Sequence, residues 1–159
     1  MRTRLHRSIV VLGFAMAFQV PIAALAINLT GEWVGSARCR AFDGTQFSLP
    51  RSTSTLLISH STTSFTARIE SGDGPTEYAG HTVQQTGQSS RLQAIMVECG
   101  TNPTFANRNE VVHLKGSEGV TSAQLKGTSI FRDPSGEIGT CRWNFKRETK
   151  TNPNLIGCP

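Results

Sequence analysis

Apolar and polar residues alternate along most of the chain after residue 26. Between Gly31 and Arg40, Trp33, Ala37 and Cys39 fall on one face, and mostly polar residues fall on the other. A period of two is typical of a β-strand with one buried face. The same alternation, bounded by Gly, Pro, Asp and Ser, predicts eight strands, at 31–40, 53–60, 64–70, 77–83, 91–99, 110–115, 122–131 and 140–147.

The fifth of these segments, 91–99, also fits a helix. Leu92, Ile95, Met96 and Cys99 have the i, i+3, i+4, i+7 spacing of a helical face, and Ser90 is a suitable N-cap. We favour a strand here because the neighbouring segments all have the pattern of strands.

Short strands that follow one another along the chain predict an all-β fold, an eight-stranded antiparallel up-and-down barrel. Closing the sheet removes its exposed edges, and eight strands is the number at which the interior just holds side chains or one small ligand. A two-sheet β-sandwich fits the strand count equally well. Turns are predicted at 71–75 and 116–119, and long loops at 41–52 and 100–109.

The first and last predicted strands are complementary if they pair antiparallel. One register places small residues mostly opposite large ones; its pairs are Cys39 with Cys141, Ala37 with Trp143, Gly35 with Phe145 and Trp33 with Arg147. Paired positions share a face, so all eight side chains would line the interior. This register favours the closed barrel.

Residues 1–26 have the features of an export signal. A basic segment, 1–7, precedes an apolar stretch, 8–25, and Ala24-Leu25-Ala26 is the small-x-small pattern that a signal peptidase cleaves. A retained membrane anchor is the alternative, since the apolar stretch is near the lower length limit for a spanning helix. We therefore expect a signal peptide over 1–26, a single β-barrel domain over 27–159, no stable membrane anchor after cleavage, and a periplasmic or extracellular location.

Removing the leader changes the charge of the chain. Three of its 16 basic residues, Arg2, Arg4 and Arg7, leave with the leader, so 13 basic and 11 acidic residues remain. The remaining basic residues are interleaved with acids along the sequence, and the longest run is Lys146-Arg147. Nucleic-acid binding needs a clustered basic face, so we expect no nucleic-acid partner.

The four cysteines predict two disulfides. Cys39, Cys99, Cys141 and Cys158 all follow the leader, and an exported chain folds where thiols oxidise. We favour Cys39–Cys141 with Cys99–Cys158, and Cys39–Cys99 with Cys141–Cys158 is the next alternative. The cysteines are too far apart in sequence for a metal motif, and the histidines after the leader are single residues in separate segments, so we expect no metal site.

The segment Leu29-Thr30-Gly31-Glu32-Trp33 resembles the start of the first strand in calycins, the superfamily of lipocalins, avidins and certain small bacterial inhibitor barrels. The resemblance implies a β-barrel in which a basic residue late in the last strand packs over the tryptophan, here Arg147 over Trp33. Such a pair closes one end of the barrel, and its cation–π contact contributes about 0.5–2 kcal/mol.

The chain also departs from these families. It has no Thr-Asp-Tyr segment of the lipocalin type, and only 12 residues follow Arg147, too few for the long helix beside a lipocalin barrel. Avidins bind biotin with several tryptophans, whereas this chain has two. The inhibitor barrels act through an N-terminal arm, and the arm here, 27–30, is short.

Motifs of catalysis are absent from the sequence: it contains no G-x-S-x-G, H-E-x-x-H, phosphate-binding loop or dinucleotide fingerprint. The acids are isolated along the chain. We expect neither an enzyme nor a cofactor.

Two functions fit these expectations. The barrel lumen could bind a small apolar ligand among the inward side chains of its strands, namely Trp33, Phe65, Ile69, Phe131, Trp143 and Phe145. Alternatively, the chain is an interaction module, such as an inhibitor of a secreted hydrolase, that contacts a secreted protein partner through the long loops 41–52 and 100–109.

Overall fold

The computed structural model describes residues 27–43, 46–49, 54–71, 74–84, 91–99, 109–118, 122–132, 135–156 and 158. The predicted leader, 1–26, lies outside these ranges. Nine strands follow one another within the described ranges: β1 Gly31–Ala41, β2 Gln46–Leu49, β3 Thr55–Ser61, β4 Ser64–Ser71, β5 Gly74–Gln84, β6 Arg91–Glu98, β7 Asn109–Glu118, β8 Ala123–Arg132 and β9 Ile138–Thr149.

The strands form a closed antiparallel barrel. The sheet order is β2-β1-β3-β4-β5-β6-β7-β8-β9, and β1 also pairs with β9, which closes the sheet. The eight strands β1 and β3–β9 are joined up and down, as predicted, and the β-sandwich alternative is wrong. Below, the upper end of the barrel is the end at which β1 ends and β9 begins, and the lower end is the opposite one.

The short strand β2 corrects the prediction of one long loop over 41–52. It pairs with the second half of β1, from Ala37 to Arg40, and β3 pairs with the first half, from Gly31 to Val34. Together β2 and β3 pair with the two halves of β1 on the side away from β9. The segment forms a strand because half of the β1 edge would otherwise lack backbone hydrogen bonds.

The pairing of β1 with β9 has the predicted register. Cys39 lies opposite Cys141, Ala37 opposite Trp143, Gly35 opposite Phe145 and Trp33 opposite Arg147. An irregularity between Glu32 and Trp33 ends this register at the lower end. The complementarity of small and large residues therefore identified the closing strands of the barrel correctly.

The segment 91–98 is a strand, so the helical alternative is wrong. Leu92, Ala94 and Met96 are buried, whereas Ile95 and Val97 are exposed. Helical spacing would have placed Ile95 and Met96 on one face, but in the barrel they face opposite ways. Pairing with β5 and β7 satisfies the backbone of β6 on both edges.

Two predicted turns are also wrong in part. Gly74 and Pro75 begin β5, and β7 continues through Gly116 to Glu118. Gly116 is buried between its two cross-strand partners, Leu92 and Leu125, and a Cβ added there would meet a methyl group of Leu125 at 3.3 Å. The glycine at this position makes room for leucine side chains in the core. The sequence alone does not distinguish a glycine in this role from a glycine in a turn.

Glycines opposite aromatic residues shape the interior. Four inward aromatic side chains each lie directly across the sheet from a glycine; the pairs are Phe65 with Gly80, Phe131 with Gly139, Phe145 with Gly35 and Trp143 with Gly127. A Cβ built at Gly80 would overlap the ring of Phe65, and one at Gly139 would overlap the ring of Phe131. The aromatic rings therefore occupy the space that a larger side chain in place of each glycine would fill, and they pack the centre of the barrel.

Candidate functional site

The six residues predicted to line a lumen all belong to one buried core. Trp33, Phe65, Ile69, Phe131, Trp143 and Phe145 have exposed fractions between 0 and 4%. Six neighbours have no exposed surface at all: Leu56, Ile58, Met96, Val112, Leu114 and Leu125. A cavity that admitted water would expose the side chains around it. These twelve side chains therefore pack against one another, and a guest among them would have to displace some of them.

The lower end is closed by the pair that the calycin resemblance implies. The Arg147 guanidinium lies 4.5 Å from the centre of the Trp33 ring. Trp33 donates its indole N–H to the carbonyl of Leu29 at 2.9 Å, and Arg147 donates to the carbonyl of Asn28. The arm 27–30 is thereby attached across the base of the barrel, with Ile27 and Leu29 buried. The short length of the arm in the sequence did not indicate that the arm packs across the base of the barrel.

A histidine also holds this arm. The backbone N–H of Leu29 donates to Nδ1 of His60 at 3.2 Å, and the backbone N–H of His60 donates to the hydroxyl of Thr30 at 3.0 Å. A ring nitrogen that accepts carries no proton, so the proton of the neutral ring is on Nε2. Burial lowers the pKa of His60 from its ordinary value of 6.5. The attachment of the arm to His60 requires the neutral imidazole.

The upper interior contains a polar network that the sequence did not predict. Its centre is Glu110 on β7, a carboxylate that is 2% exposed. Tyr78 of β5 donates its hydroxyl to Glu110 Oε2 at 2.8 Å, and Ser129 of β8 donates to Oε1. Trp143 of β9 donates its indole N–H to Ser129 Oγ at 2.9 Å, and the Tyr78 and Trp143 rings meet edge to face at 6.1 Å. Four strands are joined by this network.

A second carboxylate lies beside the network. Glu98 is the cross-strand partner of Tyr78, and it continues the inward phase of Leu92, Ala94 and Met96 on β6. Both of its carboxylate oxygens are buried. The acids are isolated along the chain, and Glu98 and Glu110 both lie on the inward face of the barrel wall. The one sequence signal of these two buried acids was their place in the alternating pattern, because Glu98 and Glu110 each occupy an inward position of a strand.

The hydrogen bonds of Glu110 indicate a structural role. Each of its two oxygens accepts a hydrogen bond from a hydroxyl, which satisfies these buried polar atoms, and a substrate could reach Glu110 only if the barrel opened. The network links β5, across the interior, to the paired strands β7, β8 and β9 at the upper end. The described residues contain no group of three or more His, Cys, Asp or Glu that could hold a metal ion.

Both disulfides lie at the upper end, with the predicted pairing. Cys39–Cys141 joins β1 to β9, and Cys99–Cys158 attaches the C-terminal tail to the residue that follows β6. Four strand connections leave the barrel at this end, namely 42–45, 72–73, 99–108 and 133–137. The connection that begins at Cys99 is the longest between consecutive strands, and residues 100–108 of it lie outside the described residues. The upper end therefore combines the longest connection with both covalent cross-links.

No helix within the described ranges is both long enough and apolar enough to span a membrane. Compared with models of protein families, with curated proteins and with solved structures, the chain has no significant match. Over the residues that it describes, the structure shows an all-β fold, a closed eight-stranded antiparallel barrel with two disulfides, which is a form compatible with calycins.

Proposed function

We propose that this protein is an exported, calycin-like interaction module that binds a secreted protein, such as a hydrolase, through the loops of its upper end. The observation that carries the proposal is the position of the two disulfides. Cys39–Cys141 and Cys99–Cys158 both cross-link the end from which the longest connection leaves. Loops held by a rigid scaffold are the usual place of binding residues.

The packed interior supports binding outside the barrel. The twelve side chains named above share one core and leave no described surface for a guest. The hypothesis of an apolar ligand in the lumen therefore has less support than the hypothesis of binding through the loops. The two hypotheses make opposite predictions about a bound guest. Native mass spectrometry of protein from its own host should show the mass of the bare oxidised chain, and a retained apolar adduct would favour the carrier function.

Export agrees with the oxidised cysteines. The pairing of all four cysteines suits a compartment in which thiols oxidise, and the sequence of residues 1–26 has the order of basic, apolar and small residues found in export signals. Mass measurement of the mature protein should give a chain that starts at Ile27. The calycin-like assignment has a further basis in Gly31, Trp33 and the position of Arg147 over the indole ring.

The decisive experiment replaces one loop at each end of the barrel. In the test variant, residues 100–108 become a Gly/Ser linker of equal length, so that Cys99 and its disulfide remain. In the matched control, residues 85–90, which join β5 to β6 at the lower end, are replaced in the same way. Binding and inhibition are then measured against purified secreted proteases, glycosidases and lipases.

The proposal expects the wild-type protein and the 85–90 variant to bind the same target, while the 100–108 variant loses most of its affinity. Melting curves of the two variants should agree, since neither replacement touches a strand. Equal binding by both variants would contradict a role for the upper loop. Loss of binding in the 85–90 variant alone would move the interface to the lower end.

A further inference from the structure

The fold gathers basic side chains that the sequence keeps apart. Four neighbouring strands, β7, β8, β9 and β1, carry outward and exposed basic residues, six of which are here called the basic wall: Arg38, Arg40, Lys115, Lys126, Arg142 and Lys146. Outside the basic wall, the segment 27–159 contains 7 basic and 11 acidic residues. The expectation that the basic residues do not cluster is therefore wrong in three dimensions, because cross-strand pairing brings together residues that are distant along the chain.

Pairing in the basic wall is unfavourable for the isolated barrel. Arg38 lies directly opposite Arg142, and Lys115 lies directly opposite Lys126. Neighbouring strands are about 4.8 Å apart, and like charges placed directly opposite each other destabilise a sheet. The registers place no carboxylate opposite any of the six residues, whose other partners are neutral. An anionic partner would relieve this repulsion.

An exposed apolar row adjoins the basic wall. Val97, Val111 and Ile130 are consecutive cross-strand partners on β6, β7 and β8, with exposed fractions of 48, 51 and 62%. A groove of about 510 Å³ runs along the border and is lined by both kinds of residue, including Val111, Ile130 and Arg142. The same face of the barrel therefore offers aliphatic surface and positive charge side by side.

This combination distinguishes between anionic partners. A phospholipid bilayer uses both parts, since its phosphates attract basic residues and its acyl chains accept aliphatic side chains. Single-stranded nucleic acid instead stacks successive bases on aromatic rings, whereas the outward side chains described on the four strands of the wall include no Phe, Tyr or Trp, and the exposed ring of Phe42 lies beyond the end of β1. We infer that the basic wall and the apolar row together dock the barrel on an anionic phospholipid membrane.

Vesicle flotation tests the inference with the oxidised, exported protein. Its mass must first show that the leader is absent, because the leader would bind lipid by itself. The protein should float with vesicles that contain phosphatidylglycerol and remain unbound with pure phosphatidylcholine. The double variant R38Q/R142Q should bind about thirtyfold more weakly, about fivefold for each basic residue removed. The matched control R68Q/K150Q removes two charges outside the wall and should bind like the wild type.

A second variant tests the apolar part. V111T/I130T keeps β-branched residues at two exposed positions, so the barrel should melt normally. We expect weaker vesicle binding that high salt abolishes completely, whereas the wild type should retain part of its binding in high salt. The inference is overturned if phosphatidylglycerol vesicles are not bound, if R68Q/K150Q loses as much affinity as R38Q/R142Q, or if V111T/I130T binds like the wild type. Binding of a single-stranded oligonucleotide without vesicle binding would assign the wall to nucleic acid instead.

Discussion

The buried carboxylate of Glu110 allows a quantitative test of what holds the upper interior together. Replacing Glu110 by Met keeps the length of the side chain and removes both acceptor oxygens. The hydroxyls of Tyr78 and Ser129 then lose their acceptor. Each buried donor left without a partner costs about 1–3 kcal/mol, so we expect E110M to lower the free energy of unfolding by about 2–6 kcal/mol. That is a large part of the 5–15 kcal/mol typical of a small domain.

A double-mutant cycle separates this hydrogen-bonding effect from a general change in packing. Tyr78→Phe alone removes one hydrogen bond to a carboxylate and should cost about 1.5–3 kcal/mol. In the double variant Y78F/E110M, the phenyl ring needs no acceptor. The double variant should therefore be more stable than the sum of the single effects predicts, by about 1–3 kcal/mol.

Urea unfolding followed by tryptophan fluorescence measures these free energies, since both tryptophans are buried. Glu77→Met is the matched control. Glu77 forms a partly exposed ion pair with Arg68 on the outer face of β5, at 2.6 Å, and an exposed pair contributes at most about 1 kcal/mol. Additivity of Y78F and E110M within about 0.5 kcal/mol would refute the network as described, and so would an E77M variant as unstable as E110M.

Three further predictions concern other parts of the barrel. Gly80→Ala should lower the free energy of unfolding by about 1–3 kcal/mol, because the new methyl group overlaps the ring of Phe65, and thermal melting should show partial recovery in G80A/F65L. Burial lowers the pKa of His60, so the unfolded chain binds a proton at this imidazole more readily than the folded chain does. The free energy of unfolding should therefore fall as the pH drops through 6.5 and level off below the pKa of the folded state. Unfolding curves recorded at several pH values should show this step in the wild type and not in H60Q. Arg147→Met should cost about 0.5–2 kcal/mol for the lost contact with Trp33, plus the hydrogen bond to the arm, and a melting temperature equal to that of the wild type would contradict the closing pair.

Local pattern was sufficient to predict most of this fold. Alternation indicates a strand without knowledge of its partner, and the sizes of the residues at 33–39 and 141–147 indicated which strands close the barrel. The strand β2 was missed because its four residues, between a turn and Pro50, are too few for a period to be recognised. Its formation depends on the unpaired half of β1, which is a property of the assembled sheet.

The polar network and the basic wall could not be predicted from the local sequence pattern, because they also depend on the assembled sheet. Glu110 is separated by 32 residues from Tyr78 and by 19 from Ser129, and nothing near it in sequence indicates these partners. Arg38 and Arg142 become neighbours only through the register of β1 with β9. Inward phase was the one local signal for Glu110, and an acid in that phase is a reason to search for buried donors.

The order of the cysteines along the chain has a consequence for biosynthesis. Cys39 joins Cys141 and Cys99 joins Cys158, so the two bonds interlock and neither links cysteines that are consecutive in the sequence. An oxidant that acts on thiols in their order of emergence would first couple Cys39 to Cys99. If the chain is exported as proposed, Cys141 and Cys158 emerge after Cys99, so formation of the native bonds requires either delayed oxidation or an isomerase that reshuffles the early bond.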